Sequence, residues 1–477
     1  MVKPAKLLNY PALRTIIREA RNQKIELYLV GGAVRAQLHR PDEEIDNADL
    51  LVIRGVRRFA EHLAKVLKSR MVIINPRFDS VLIPAGKIEF EFSGPRDITK
   101  TGGIRVNLPD DALQRDLMLR DFTINAMALP LSPRRGDIID PAGGQADLKK
   151  RLIQTPISAE ITLREDPLRM LRAARLAAQL NFSLSPNLLK AIHQERYSIT
   201  SVSVERRTAE LLKILSTPKP SIGLKLLYIT GLLDVAFPEI AALAAIKQNK
   251  KPRHKDIFEH TMKVVDAVAE AGGSLHTRIA ALLHDVGKPA TRRYDSKLGW
   301  TFHGHEVVGE RMVKQLGLRW RLPSASTGKV AKLVRLHMRP INLSDEGVTD
   351  SAVRRLGVQA GEDIDELIIL CRADVTSSDP RRVKRYLANF EKVVEHLKDV
   401  EEKDELRAFQ SPVRGDVIMA ETGLEPGPLV GKLKKMIEEA ILEGTIPNEY
   451  DAALVYLRKI KDSVLAEDTH SAQKKNS

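Results

Sequence analysis

Two sets of residues in this chain have types and spacings that could do chemistry. The first lies in Asn47-Ala48-Asp49-Leu50-Leu51-Val52, where aliphatic residues predict a strand and the strand period puts positions 47 and 49 on one face. Glu89 and Glu91 share a face of a second alternating segment by the same rule. Two-metal phosphoryl transfer needs oxygen ligands converging from neighbouring strands on Mg2+ ions about 4 Å apart, although either pair alone also reads as a solvated strand face. Upstream, residues 27–38 read as strand, Gly31-Gly32, helix. Such a turn lets a phosphate approach the backbone and meet the free N–H groups of the helix start, but by itself it is an ordinary tight turn. The second set is His260, the doublet His284-Asp285 ahead of Gly287, then His305, His337 and Asp374. Imidazoles mixed with carboxylates suit a borderline or hard divalent metal and can hold one or two ions that activate water.

The elements that must position these groups change character along the chain. Segments 25–30, 49–53, 70–75 and 79–92 carry strand signals, the last with a Pro-Ala-Gly turn, so the first 145 or so residues read as mixed α and β. Beyond them apolar residues recur at helical spacing, as in 166–182 and 204–215, and the remainder reads as all-helical. Residues 246–256 read as a linker, composition shifts again at 401–412, and the last dozen residues read as frayed. There is no repeat of 20–50 residues.

Composition narrows the partners. Lys and Arg total 76 against 62 acids, a formal charge of +14 that favours a polyanion. Aromatic residues are only 4%, which argues against an all-β fold and against a base-stacking platform for single strands. One cysteine, Cys371, can form neither an intrachain disulfide nor a thiolate cluster and points to a reducing compartment. No apolar run approaches the ~20 residues that span a bilayer, and the N-terminus is broken by Pro and charge too early for a signal peptide. The expectation is a cytoplasmic protein with no membrane partner.

Taken together, several motifs resemble a known family, the bacterial nucleotidyltransferases that build the tRNA CCA end, together with bacterial poly(A) polymerases. They are Gly31-Gly32-Ala33-Val34-Arg35, the Asn47-x-Asp49 strand, Glu91-Phe92-Ser93-Gly94-Pro95-Arg96 and Arg120-Asp121-Phe122-Thr123-Ile124-Asn125-Ala126. Further on come Asp140-Pro141-x-Gly143-Gly144, Glu165-Asp166-Pro167-Leu168-Arg169 and Glu205-Arg206-x-x-x-Glu210-Leu211, in family order. The resemblance implies that Asp49, with Asn47 and Glu91, holds Mg2+, and that Gly31, Gly32 and Arg35 meet the triphosphate. Arg120, Asp121 and Asn125 would hold ribose and phosphates. Asp166 and Arg169, three apart on a helix, would present an acceptor and a donor to the edge of the incoming base; Asp166 before Pro167 is also a good helix cap. Arg172 and Arg175 extend an arginine stripe that reads as a solvated face or, beside tRNA, as a phosphate track.

The sequence departs from the family pattern at two places. Asn47 stands where the family has Asp, and Ala36 where it usually has Asp. Either a bulge turns Asp46 inward and Glu91 supplies the third ligand, or the catalyst is weakened. The second set resembles the HD metal-dependent phosphohydrolase domain, with a complete core in His260, His284, Asp285 and Asp374 and the two extra histidines, His305 and His337, of dinuclear versions. His254, His276 and His303 fall outside that pattern and read as surface or supporting residues. Trp300 and Trp320 read as core anchors and Cys371 as buried packing.

The resemblance implies a multidomain α+β chain. A mixed α/β, polymerase-beta-like nucleotidyltransferase head (1–145) is followed by an all-helical neck and body that templates the nucleotide and binds RNA (146–245). An all-helical HD domain (246–400) and a helical tail (401–477) complete it. The expected function is Mg2+-dependent addition of CMP, AMP or both from CTP and ATP to the tRNA 3′ end. A divalent metal in the HD domain would support phosphohydrolase action on RNA ends. The alternatives are a poly(A) polymerase, or an HD phosphohydrolase whose lapsed head only binds tRNA.

Overall fold

The computed structural model describes residues 4–75, 80–96, 110–244, 257–297, 299–339, 350–375 and 411–473, with a few isolated positions between 384 and 395. The expected linker at 246–256 lies outside the described residues, as does most of 401–412. The chain forms two compact units, Met1–Ala245 and Ile246–Ser477.

The first unit is built on a six-stranded sheet of order β3-β4-β5-β2-β1-β6. Its strands are β1 (Leu27–Val30), β2 (Asn47–Val52), β3 (Val72–Asn75), β4 (Ser80–Ala85), β5 (Ile88–Ser93) and β6 (Ala128–Ser132). Within this sheet only β2 and β5 pair in parallel. Alternation sorts the side chains into two faces. Leu27 and Leu29 of β1, Ala48, Leu50 and Val52 of β2, and Ile88, Phe90 and Phe92 of β5 join one buried core. That face is covered by two amphipathic helices, Pro11–Asn22, which buries Leu13, Ile16 and Ala20, and Val56–Val66, which buries Val56, Phe59, Ala60 and Leu63. On the other face, Val30 and Leu51 pack with Leu113 and Leu117 of the helix Ala112–Met118. This helix covers part of the face on which Asp49 and Glu91 stand. Strand β6 carried no clear sequence signal because Pro130 interrupts it, and it occupies a sheet edge, where a missing N–H is tolerated. The rest of the unit is mostly helical, with Leu168–Leu180 packed against Val204–Leu215 and Pro220–Ile229.

The second unit gathers the helices Ile257–Glu270, Leu275–Leu283, His305–Arg319, Ser324–Leu336 and Ile364–Asp374. Three later helices, Gly415–Thr422, Pro428–Leu442 and Tyr450–Gln473, close over their own core of Leu433, Ile437 and Leu457.

Three expectations need correction. The region beyond 145 is not all-helical: β7 (Leu152–Ile153) pairs in parallel with β8 (Ser183–Leu184), and β9 (Arg293–Asp295) pairs with β10 (Gly299–Thr301) as a hairpin. Strands of two or three residues are too short to show a period. The final helix continues to Gln473 through most of the segment expected to fray, because no Gly or Pro interrupts its ladder. Trp300 is not a core anchor but a half-buried member of the hairpin, whereas Trp320 is buried at 3% exposure as expected.

Candidate functional sites

The register of β2 on β5 runs unbroken from Asn47 opposite Glu89 to Leu51 opposite Ser93, so Asp49 sits beside Glu91. No bulge turns Asp46 inward: it is exposed just before the strand, and only its carbonyl is used, accepting from Glu89 N–H at 2.8 Å. Asn47 is likewise exposed and lies at the strand start, outside the wall of the adjoining cavity. That cavity, of about 280 Å³, is walled by Gly31, Gly32, Asp49 and Glu91 on the sheet side. The lining also includes Ser93, Arg96, Arg120, Asp121, Asn125, Asp166, Arg169 and Arg172.

Gly31 is required by both shape and backbone. Its φ is +71°, and a Cβ there would stand 2.8 Å from Asp49 Oδ2 and 3.3 Å from Arg120 Nη1. Burial raises the Asp49 pKa, Arg120 opposes this, and the neighbouring Glu91 carboxylate adds to it. Ser80 Oγ donates to Glu91 Oε1 at 2.7 Å and orients it. Among the described residues neither Asp49 nor Glu91 has an ion-pair partner, whereas the arginines of the wall are already matched. Arg120 reaches Asp116 at 3.0 Å, Arg169 reaches Glu165 at 2.9 Å, and Arg172 Nε donates to Asp121 Oδ2 at 3.0 Å. Two adjacent carboxylates without a direct ion-pair partner among the described residues fit a divalent cation.

The arginines are held rather than solvated. Arg169 is 6% exposed and donates to the Thr162 and Leu119 carbonyls at 3.1 and 3.2 Å, which fixes its fork at the cavity beside Asp166. Asp166 also caps, accepting from Leu168 N–H at 3.2 Å. Arg35 does not reach the wall. Half-buried, with desolvation pushing its pKa down to about 10, it donates to Asn125 Oδ1, and Asn125 Nδ2 donates to Asp121 Oδ1 at 3.0 Å. Burial would raise the Asp121 pKa, but Arg172 and this amide hold it well below the usual carboxylate range. The expected arginine stripe is not a continuous track. Steps of three on a helix drift by about 60° each, so Arg175 leaves the cavity and pairs with Glu210 at 2.7 Å.

In the second unit every expected ligand comes together at a helix end or first turn. His260 Nε2 lies 2.9 Å from Asp374 Oδ1 and 3.3 Å from His284 Nε2. His305 Nε2 lies 3.5 Å from Asp285 Oδ1 and 3.3 Å from His337 Nε2. Asp285 thus belongs to two ligand groups, one with His260 and His284, the other with His305 and His337. The Nδ1 atoms of His284, His305 and His337 each donate to a carbonyl, of Ala281, Phe302 and Val334, at 2.8, 2.9 and 2.6 Å. That tautomer leaves Nε2 lone pairs facing one another, an arrangement that needs a cation or a proton between them. Despite burial, Asp285 and Asp374 push His284 up to about 10, while burial and His284 push His337 down to about 4. Asp285 Oδ1 is buried with no hydrogen-bond partner. The donor set fits one or two divalent metals. Gly287 lets the chain pass His305, since a Cβ there would meet the His305 carbonyl at 2.2 Å.

Sequence reasoning missed several supporting groups. Lys288 Nζ lies 2.6 Å from Asp285 Oδ2, three residues along from a doublet that had drawn all the attention. Asp116, four residues before Arg120, and Arg96, at the end of a motif already noted, were equally visible as charge spacings. Ser80 had no sequence signal. Of the remaining histidines, His276 bonds Ser326 at 3.0 Å, His303 is exposed and His254 lies outside the described residues. Cys371 is fully buried, its Sγ donating to the His337 carbonyl at 3.1 Å, and burial raises its thiol pKa.

A carboxylate pair on a mixed sheet, facing a guanidinium-lined cavity, joined in one chain to a histidine–aspartate metal cluster, defines a nucleotidyltransferase with an HD domain. Residues 27–154 match the poly A polymerase head domain, 181–243 the probable RNA and SrmB-binding site of polymerase A, and 257–379 the HD domain. The A-adding tRNA nucleotidyltransferase of Deinococcus radiodurans is 33% identical over 385 residues, 78% of this chain and 81% of that protein. The CC-adding tRNA nucleotidyltransferase of Thermus thermophilus is 31% identical over 449 residues, 91% of this chain and 94% of that one. The fold is shared with the Bacillus stearothermophilus CCA-adding enzyme solved with CTP, at TM-score 0.66 and 23% identity over 98% of this chain and all of that one. The chain belongs to the family of CCA-adding tRNA nucleotidyltransferases.

Proposed function

We propose that the first unit transfers CMP, AMP or both from CTP and ATP to the 3′ end of tRNA, in the cytoplasm. The observation that carries this is Asp49 beside Glu91, neither in a direct ion pair, in a cavity also lined by the Arg120, Arg169 and Arg172 guanidinium groups. In this reading the tRNA 3′-hydroxyl attacks the α-phosphate and pyrophosphate leaves. Mg2+ held by Asp49 and Glu91, with the Asn47 amide at most a distant participant, would lower the hydroxyl pKa and offset charge on the leaving group. Arg120 and Arg172 bind phosphate oxygens, Asp121 and Asn125 orient Arg172 and Arg35, and Asp166 with Arg169 offers one acceptor and one donor to a base edge. Arg169, held by two carbonyls and Glu165, has little freedom, which suits a template. Along the chain we assign 1–145 to the catalytic head, 146–245 to templating and RNA binding, 246–400 to the HD domain and 401–477 to a helical tail.

Incorporation with CTP and ATP supplied separately, on tRNA ending at each intermediate stage, tests the assignment and separates full from partial addition. Absence of incorporation at every stage and metal concentration overturns it. Long A tracts from ATP on a non-tRNA primer would instead identify a poly(A) polymerase.

A second activity is favoured by the two ligand groups sharing Asp285. We assign to this cluster the hydrolysis of phosphate esters at RNA ends, with a metal-activated water as nucleophile. Hydrolysis of bis(p-nitrophenyl) phosphate, lost on chelation and restored by a divalent metal, is its test.

A further inference from the structure

We infer that Asp116 is a positioning residue for the incoming nucleotide: its one buried carboxylate holds Arg96 and Arg120 at the cavity, so that their remaining N–H groups meet the triphosphate. The inference rests on the nucleotidyl-transfer reading of the cavity and adds Asp116 and Arg96 to its machinery. Asp116 lies on the helix Ala112–Met118, which Leu113 and Leu117 anchor against Val30 and Leu51 of the sheet. Leu51 alternates onto the face that carries Asp49, so the helix ties the arginines to the carboxylate pair. An acid and an arginine four residues apart at a helix end share a face, which brings Arg120 within reach of Asp116.

Asp116 is 1% exposed and does not itself line the cavity. Its two oxygens are divided between two partners. Oδ2 accepts from Arg120 Nε at 3.1 Å and lies 3.0 Å from Arg120 Nη2. Oδ1 accepts from the Arg96 backbone N–H at 3.1 Å and lies 3.8 Å from Arg96 Nε. Arg96 Nη1 donates to the Leu119 carbonyl at 2.8 Å, and the same carbonyl accepts from Arg169 Nη2 at 3.2 Å. Arg96 and Arg120 both line the cavity. A carboxylate buried this far is costly unless it is paired, and here one acid serves two cations. Arg169 with Glu165 and Arg172 with Asp121 are instead one-to-one pairs among the described residues. The Asp116 group is therefore where guanidinium groups outnumber the acid that holds them. Fixed planar forks with donors to spare suit phosphate oxygens.

Asp116→Asn keeps the volume but offers one acceptor and one donor, so it can serve the Arg96 N–H or the Arg120 fork and not both. In the full chain with Mg2+ and tRNA, the KM for CTP and ATP is expected to rise about tenfold or more, while the KM for tRNA stays within about twofold. A lower thermal midpoint with the nucleotide KM unchanged would make Asp116 a purely structural acid and overturn the inference. A rise confined to the tRNA KM would overturn it too. Because the acid acts through its arginines, Asp116→Asn combined with Arg120→Lys should lose clearly less than the product of the two single losses, and a multiplicative loss counts against it. If Asp116→Asn does not fold, Arg96→Lys keeps the charge and loses the fork. It should raise the same KM about threefold or more, and an unchanged KM overturns the inference. Equilibrium binding of CTP and ATP without tRNA separates this proposal from the transfer reading. Weaker binding by Asp116→Asn in a chain that incorporates nothing would remove the transfer reading and keep the positioning role; incorporation by Asp116→Asn at the parental nucleotide KM would do the reverse.

Discussion

The two sites solve one problem, keeping carboxylates close together, in opposite ways. In the first unit Asp49 and Glu91 stand on adjacent strands and their surroundings are populated by arginines, each already matched to an acid. In the second unit the carboxylates stand at helix ends among converging imidazoles, and Lys288 is the one lysine or arginine paired with Asp285 among the described residues. A site that must bind and release a polyanionic triphosphate keeps fixed cations in its wall. A site built around metal-activated water concentrates neutral nitrogen ligands instead. The difference lies in what balances the negative charge, protein guanidinium groups or bound ions.

The strongest way to break the contrast is Asp49→Ala. Removing a carboxylate of the pair is expected to lower nucleotide incorporation by about a thousandfold or more, measured with labelled CTP and ATP. A loss below tenfold would move the metal site elsewhere. Asp285→Ala comes next: because Asp285 serves both ligand groups, metal bound by the cluster, measured by mass spectrometry, should be lost, whereas His337→Ala should spare the His260 group. Equal losses in the two variants would show that the groups are not separate.

Gly31→Ala combines a φ of +71° with a Cβ 2.8 Å from Asp49 Oδ2. It should reduce incorporation by about ten- to a hundredfold and cost about 1–3 kcal/mol of stability by denaturant unfolding. Arg172→Ala sharpens the arginine half of the comparison. Asp121 has its pKa depressed chiefly by Arg172, with Asn125 and Arg169 adding to this, so its charge persists in mild acid; with the Arg172 guanidinium gone the pKa rises. Incorporation by the variant should then fall off at a higher pH on acidification than in the parent protein. Coincident pH profiles would show that Arg172 does not set the charge of Asp121. The smallest effect expected is that of Asn47→Asp, a gain of less than about tenfold, because position 47 is exposed and outside the cavity wall. Activity created from nothing by this change would instead establish a lapsed head.

What could be read in advance follows from what is local. Strand alternation placed Asp49 on a face with position 47 and Glu91 on a face with Glu89, and the structure joined Asp49 to Glu91 by pairing the two strands; the pattern of His260, His284-Asp285, His305, His337 and Asp374 marked a cluster that the structure assembles from helix ends. Charge pairing across the fold was not legible. The partner of Arg172 is 51 residues away and that of Arg175 is 35, so the stripe looked like a surface track when Arg169 is buried and the other two are each tied to an acid. The three-residue strands around Tyr294 and Trp300 were hidden by their brevity, and Pro130 concealed the edge strand that holds it. Arg35, expected at the triphosphate, lies one hydrogen bond behind the wall, a displacement no spacing rule contains.

The unbroken parallel pairing of β2 on β5 has a consequence for how this catalytic face can change over time. Because side chains alternate, one residue inserted or deleted in either strand would turn its carboxylate into the buried core and bring a Leu or Phe out in its place. The site is therefore intolerant of changes in length and comparatively permissive of changes in identity near the strand start. An asparagine at position 47 is the kind of variation such a face can accumulate while Asp49 and Glu91 keep their alignment.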